Sequence, residues 1–375
     1  MARKKNEVTL DIRNYPHNII MGVPKVGKTT LFRDLVILLF KDASKGLLIA
    51  CGQEYGYKGL DDLWYEEGKV WDQIEDEHGE RGIVQIVDEV IALKGTDEQI
   101  DTVCFDTLDE LVEVATKQVY EEHRNDKLRY PKSLNEALGG YGAGQRRVME
   151  LIKEQIQRLE EAGIAVFIIA HTKVKEMEDP QTGEKYEMIT NNLDSRFYSP
   201  IANTAQMIVN IVIDRKIVGA GTEVKKVKDK EIEVAIAGKQ ASTERFMYFR
   251  DNNFVDAGGR FEGLPEKLPL SAENFVEAFK MGVTNSQKNP MTKKQEAEKI
   301  KKEDEENKQN GIKTQQKEKN KIVSAIKDRL SSGLEADVIQ EVNAKVKEYG
   351  IKSFSAEDLA DVTIEQLRDI YSIVE

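Results

Sequence analysis

Nine consecutive residues, Gly22-Val23-Pro24-Lys25-Val26-Gly27-Lys28-Thr29-Thr30, fit the pattern G-x-x-x-x-G-K-[ST]. Each fixed position has a chemical reason. Glycines let a loop wrap a phosphate with its backbone N–H groups turned inward. A helix opening at Lys28 aims the positive end of its dipole at the same phosphates. The Lys28 ammonium is expected to reach the β- and γ-phosphates, and the Thr29 hydroxyl to ligate Mg²⁺. The chemistry implied is that of a nucleoside triphosphate with its magnesium ion.

Two further polar residues stand at the ends of apolar runs. Ile100–Asp106 (IDTVCFD) closes on Asp106, and an aspartate there can hold Mg²⁺ through water. Ala165–Lys173 (AVFIIAHTK) carries His171 where it could sense the terminal phosphate.

These residues need a scaffold, and the pattern supplies one. Ile19-Ile20-Met21 leads into the glycine loop, and Thr29–Phe40 reads as a helix. Strand-like runs follow at Gly46–Cys51, Gly82–Val87, Asp101–Asp106 and Ile164–Ala170. Helical patterns lie near Leu108–Glu122 and Gly144–Glu161; in the latter Val148, Ile152, Ile156 and Leu159 recur at spacing three to four. Short apolar strands alternating with amphipathic helices predict an α/β fold with a mostly parallel sheet covered on both faces. From Ala205 to Arg250 strand follows strand, which predicts an antiparallel extension of that sheet. Ser271–Met281 reads as a helix with a serine N-cap. Residues 1–282 then form the core, 283–320 a charged linker or solvated helix, and 321–375 a small helical module with recurring Ile322, Ile326 and Leu330.

Composition narrows the class. The chain has 375 residues, 40% hydrophobic and 33% charged, with net charge −12. That charge argues against binding nucleic acid by bulk attraction and leaves room for a local basic groove, or for one formed on oligomerisation. Two separated cysteines, Cys51 and Cys104, give neither a disulfide framework nor a metal spacing. Four scattered histidines make a histidine-built metal site unexpected. No apolar run is long enough to cross a membrane, and the basic start MARKKNEVTLDIRNYP lacks an apolar signal region. The expected location is the cytoplasm, that of a bacterial host if the chain is phage-encoded.

In the order GVPKVGKTT, then Asp106-Thr107-Leu108, then Ala170-His171-Thr172-Lys173, with Arg245–Arg250 and Arg260 later, the chain resembles the phage-encoded RecA-like ATPases, over about Asn14–Leu270. That group includes single-strand annealing and recombination proteins. The resemblance implies ATP rather than GTP, hydrolysis, and Glu54 as the carboxylate that orients the attacking water, with Glu110 as the alternative. It gives His171 the place of a polar switch between nucleotide and DNA. It implies a ring or filament of identical chains, with a neighbour's cation at each site; Lys228, Lys230, Arg245 and Arg250 are the candidates. Single-stranded DNA is the implied partner. Lys173, Lys175, Lys185, Arg196 and Tyr198 are candidate contacts, since basic residues interleaved with aromatics suit phosphate pairing and base stacking. The basic, glycine-rich loop Arg124–Arg147 is a candidate second DNA loop. Apart from the resemblance, the C-terminal module has three readings: it finds a partner such as a single-strand-binding protein, it caps self-association, or it packs by itself with no partner. The competing reading is an ATP-driven switch or loader that recruits a partner through that tail.

Overall fold

A computed structural model describes residues 9–73, 81–179, 181–218, 221–227, 230–236, 239–252, 254–286, 293–331, 336–355, 358–359 and 362–374. The strands are β1 (Asn18–Gly22), β2 (Gly46–Cys51), β3 (Tyr65–Gly68), β4 (Thr102–Asp106), β5 (Ala165–Glu178), β6 (Lys185–Asn191), β7 (Met207–Val218), β8 (Gly221–Val227), β9 (Lys230–Ile236), β10 (Lys239–Tyr248), β11 (Gly258–Gly259) and β12 (Lys267–Pro269). The helices are α1 (Lys28–Phe40), α2 (Ile83–Ala92), α3 (Leu108–Lys127), α4 (Ala143–Glu161), α5 (Ser195–Ala202), α6 (Ala272–Asn285), α7 (Lys293–Ser331), α8 (Ala336–Glu348) and α9 (Ile364–Val374).

The main sheet runs in the order β12-β10-β7-β1-β5-β4-β2-β3. From β7 to β3 all neighbours are parallel, while β10 and β12 extend the sheet antiparallel. This is an α/β fold with a mostly parallel sheet and antiparallel additions. The central strands read as unbroken apolar runs because both faces are covered. On one face Leu31, Phe32 and Leu35 of α1 pack with Phe275 and Phe279 of α6 over Ile20, Phe167 and Val209. On the other, α2, α3 and α4 cover Ile19, Ile49, Phe105 and Ile168.

Two expectations change. Gly82–Val87 is not a strand: Ile83–Ala92 is helix α2, nearly all of it buried. Its apolar residues, Ile83, Val84, Ile86, Val87, Val90 and Ile91, satisfy helical spacing as well as a short run does, and a helix buried nearly all round loses the polar stripe that would identify it. The Lys/Glu-rich stretch is not a flexible linker, because Lys293–Ser331 is one helix. It touches the core: Glu318 pairs with Arg158 of α4 at 2.8 Å, and Gln315 donates to the Ala92 carbonyl at 2.9 Å. Lys267–Pro269 pairs with β10 at the antiparallel edge of the sheet.

A separate apolar cluster joins Ile326, near the end of α7, to Val342 of α8 and Leu367 and Ile370 of α9. Arg368 of α9 reaches the buried Asp88 of α2, which Arg158 also pairs with. Among the described residues no helix is long and apolar enough to cross a membrane.

Candidate active site

The motif lies at the carboxyl edge of the parallel strands, where a sheet flanked by helices opens a crevice. β1 ends at Gly22, the loop turns, and α1 begins at Lys28. The two motif glycines serve different ends. At Gly22 a Cβ would come 2.8 Å from Val26 Cγ1 and 2.9 Å from the Ile211 carbonyl, so the loop needs a bare backbone to pass β7. Gly27 has φ 111°, a conformation for which glycine has no steric cost. Gly27 caps α1 without any side-chain hydrogen bond. The first-turn N–H groups of α1 are thus left without a capping side chain, as an anion-binding helix start requires.

Lys28 is buried and donates from Nζ to the carbonyls of Gly22 (3.0 Å) and Val23 (3.1 Å). Burial lowers its pKa, against the attraction of Asp106, Glu54 and Asp109. Thr29 Oγ1 donates to Asp106 Oδ2 at 2.9 Å. Asp106 is 2% exposed, and burial pushes its carboxyl up to about 6. The Thr29 hydrogen bond and the charge of Lys28 oppose that rise, and the charge of Glu54 adds to it. Lys28, Thr29, Thr30, Glu54, Asp106 and His171 line one cleft of about 510 Å³.

Glu54 and Glu110, the two candidate carboxylates, have separate tasks. Glu54 Oε1 accepts from the backbone N–H of Tyr55 (3.1 Å) and Gly56 (2.9 Å), fixing its own turn inside the cleft. Glu110 Oε2 accepts from the Gln53 N–H at 3.1 Å. It thus holds the loop that carries Glu54 and is not among the residues lining the cleft. Thr107 to Glu110 reads T-x-x-E, a capping-box spacing. Thr107 does cap α3, accepting from the Glu110 N–H at 3.4 Å, while the Glu110 carboxylate turns to the neighbouring loop.

His171 pairs in register with Gly22, which sets it beside the phosphate loop. Burial and then the charge of Lys28 lower its pKa, against Asp109, Glu54 and Glu110. Asp109 Oδ2 accepts from the His171 N–H at 3.2 Å and lies 3.7 Å from Nδ1. Asp109 Oδ1 accepts from Asn192 Nδ2 at 3.3 Å, and the Asn192 N–H donates to the His171 carbonyl at 2.8 Å. Asp109 was missed from sequence, although its place three residues past the strand-end Asp106 and two past Thr107 marks it as first-turn helix.

Among the described residues no group of three or more His, Cys, Asp or Glu could hold a metal ion. A protein-built metal cage is thus absent there. A hydroxyl and a carboxylate 2.9 Å apart at a phosphate loop fit Mg²⁺ carried in with the nucleotide, because that ion keeps waters and phosphates as most of its ligands.

The remaining candidates disperse. Tyr198 cannot be a DNA contact: it is 6% exposed on α5, and its hydroxyl donates to Met21 Sδ at 3.1 Å inside the core. Lys173, Lys175 and Lys185 lie on the β5–β6 hairpin, where Lys185 pairs with Glu176 at 2.6 Å. Arg196 pairs with Asp194 at 3.0 Å. Of the candidate trans-acting cations, Lys228 lies outside the described residues, Lys230 opens β9, and Arg250 is exposed just past β10. Arg245 sits close to Gly27 of its own chain. A larger cavity of about 1070 Å³ opens at the far end of α1, between Arg13, Phe40 and Glu277. It shares no residue with the phosphate loop, and Arg13 and Asp101 in its wall pair with each other at 2.7 Å.

The AAA domain family model matches residues 15–261, more than half of the chain. No curated protein matches it.

Proposed function

The chain belongs to the AAA-domain family, which implies a nucleotide-binding ATPase, and we propose that it is a magnesium-dependent ATPase acting on single-stranded DNA in recombination, annealing or repair. One observation carries the catalytic part: Thr29 and Asp106 are hydrogen-bonded in the same cleft that Lys28 and Glu54 line. In this reading Lys28 and the first-turn N–H groups of α1 hold the β- and γ-phosphates. Thr29, and Asp106 through water, hold the magnesium ion, whose charge neutralises the phosphates. Glu54 orients the attacking water in line with the γ-phosphate. His171 reads the γ-phosphate and passes its state through Asp109 to Asn192, at the root of the β5–β6 hairpin.

The DNA part draws on the loop between α3 and α4. The β5–β6 hairpin sets Lys173, Lys175 and Lys185 against Glu176, Glu178, Asp179, Glu184 and Glu187, so its own charge disfavours phosphate. From 128 to 146 the balance reverses, with Arg129, Lys132 and Arg146 against Glu136. Tyr141 is 98% exposed at φ 51°, flanked by Gly140 and Gly142, also at positive φ. A tyrosine held in that conformation costs about 1 kcal/mol or more, and here the cost presents a bare ring to solvent beside Arg146, which donates to the Tyr141 carbonyl at 3.2 Å. Tyr130 is half exposed under Arg124. Stacking rings among cations suit a single strand.

The test is ATP turnover of wild type, Lys28→Ala and Tyr141→Ala, each with and without single-stranded DNA. Lys28→Ala should lose about a hundredfold or more in turnover. Tyr141→Ala should keep its DNA-free turnover and bind DNA about tenfold more weakly. Wild type that binds no DNA at low salt ends the DNA reading and leaves the ATPase intact.

A second reading, a switch that recruits a partner through its C-terminal helices, is favoured by one feature. Asp88, with Arg158, Glu318 and Arg368, ties α7 and α9 to the core. Arg368→Ala would then change partner capture while leaving DNA binding unaltered.

A further inference from the structure

We infer that Arg245 binds the nucleotide held by its own chain's phosphate loop, as a ligand of the non-transferred phosphates, rather than reaching into a neighbouring chain. The inference rests on the nucleotide site proposed above.

A Cβ built on Gly27 would lie 3.9 Å from Arg245 Nη1 and 3.4 Å from Leu270 Cδ2. The guanidinium therefore stands at the second motif glycine, within reach of an oxygen that the loop's amides hold. Sheet register explains its position. Gly22 pairs with Ile211 of β7, and Arg245 of β10 pairs with Ile213. Arg245 thus stands two residues past the end of β1, level with the loop. Side-chain alternation puts Arg245 on the same face as Met247 and Phe249, which pack with Phe32 and Leu35 of α1. That is the face on which α1 opens at Lys28. The Arg245 backbone is held from both sides, by β7 and by the Leu270 N–H, which donates to its carbonyl at 2.9 Å. The arginine is exposed, so its side chain can meet a ligand without leaving a core.

The phosphates it serves follow from the strand order. Asp106 and Glu54 stand at the ends of β4 and β2, on one side of β1, whereas β10 lies on the other, beyond β7. The transferred phosphate must face Asp106 and Glu54. Arg245 therefore meets the α- and β-phosphates, and Leu270 offers an apolar contact next to it. A cation there stabilises ATP and ADP alike, whereas a cation supplied by a neighbour for the transition state acts on turnover alone.

The test uses the full-length chain and two readouts: binding of a fluorescent ADP analogue and ATP turnover. Arg245→Ala should weaken ADP binding about tenfold or more, as loss of a charge-assisted contact does. Arg245→Lys should recover part of the loss, since it keeps the charge without the fork. At sub-saturating ATP, a mixture of Arg245→Ala and Lys28→Ala chains should turn over no faster than the sum of its parts, because neither chain carries a complete site. ADP binding by Arg245→Ala within about twofold of wild type overturns the inference. So does turnover in the mixture above the sum of its parts, which would show Arg245 working across chains. Wild type that binds no ADP removes the nucleotide site itself.

Discussion

The sharpest consequence of the site concerns a charge that the fold tolerates for function. Asp106 is almost fully buried, and its carboxyl is raised to about 6, chiefly by burial. In an unfolded chain an aspartate titrates near 3.9, so the difference of about two units corresponds to about 3 kcal/mol. The sign follows from which state holds the proton. Between about pH 4 and 6 the metal-free folded protein keeps a proton that the unfolded chain has released. Stability drawn from the neutral carboxyl is complete below pH 4 and is lost as pH rises through about 6. Asp106→Asn removes the ionisation and keeps an oxygen that can accept from Thr29. In chelator, this variant should be about 3 kcal/mol more stable than wild type at pH 8 and about equal to it at pH 4. It should also lose the stabilisation that Mg-ATP gives wild type. Urea unfolding of both proteins at the two pH values measures this, and the difference between them isolates Asp106 from the other carboxylates. An asparagine variant no more stable than wild type at pH 8 would refute the claim that this carboxylate is kept at a cost to folding.

Two other perturbations probe the frame around the site. Gly22→Ala should destabilise by about 1–3 kcal/mol, because its Cβ would meet the Ile211 carbonyl at 2.9 Å, inside a ladder that cannot yield; a thermal melt unchanged from wild type would contradict the close approach. At the opposite edge, Asp101 accepts from Arg13 at 2.7 Å and Lys94 at 3.1 Å. Burial raises its pKa, but Lys94 and Arg13 outweigh this and hold it below the usual carboxylate range. Its contribution is therefore present above about pH 4 and lost as pH falls through the lowered pKa. Asp101→Asn should lose about 3 kcal/mol at pH 7 and converge with wild type in acid; equal denaturant midpoints at pH 7 would exclude that role.

Legibility of the site divides by distance along the chain. The phosphate loop is local: nine residues specify turn, helix start and ligands, so their types alone expose the chemistry. Asp106 was readable because strand burial and a terminal carboxylate are both local signals. What escaped depends on pairs that only folding brings together. Glu110 lies 57 residues from Gln53, whose N–H it holds, and nothing near Glu110 announces that partner. Asp109 and His171 are 62 residues apart, so the hydrogen bond between them had no local trace. Composition misled at Tyr198, where a tyrosine between Arg196 and Ser199 looks exposed yet faces the core from α5. Arg245 shows the same limit from the other direction. As a free cation in a late strand it suggested a contact between chains, because sequence says nothing of how far a strand rises beside another. Register supports the contact within one chain proposed above, since Arg245 stands two residues past Gly22, on the face of α1. In the proposed arrangement the γ-phosphate side is built by β2 and β4, and β10 brings a cation to the α- and β-phosphates. Under that proposal the antiparallel extension serves the nucleotide as well as widening the sheet.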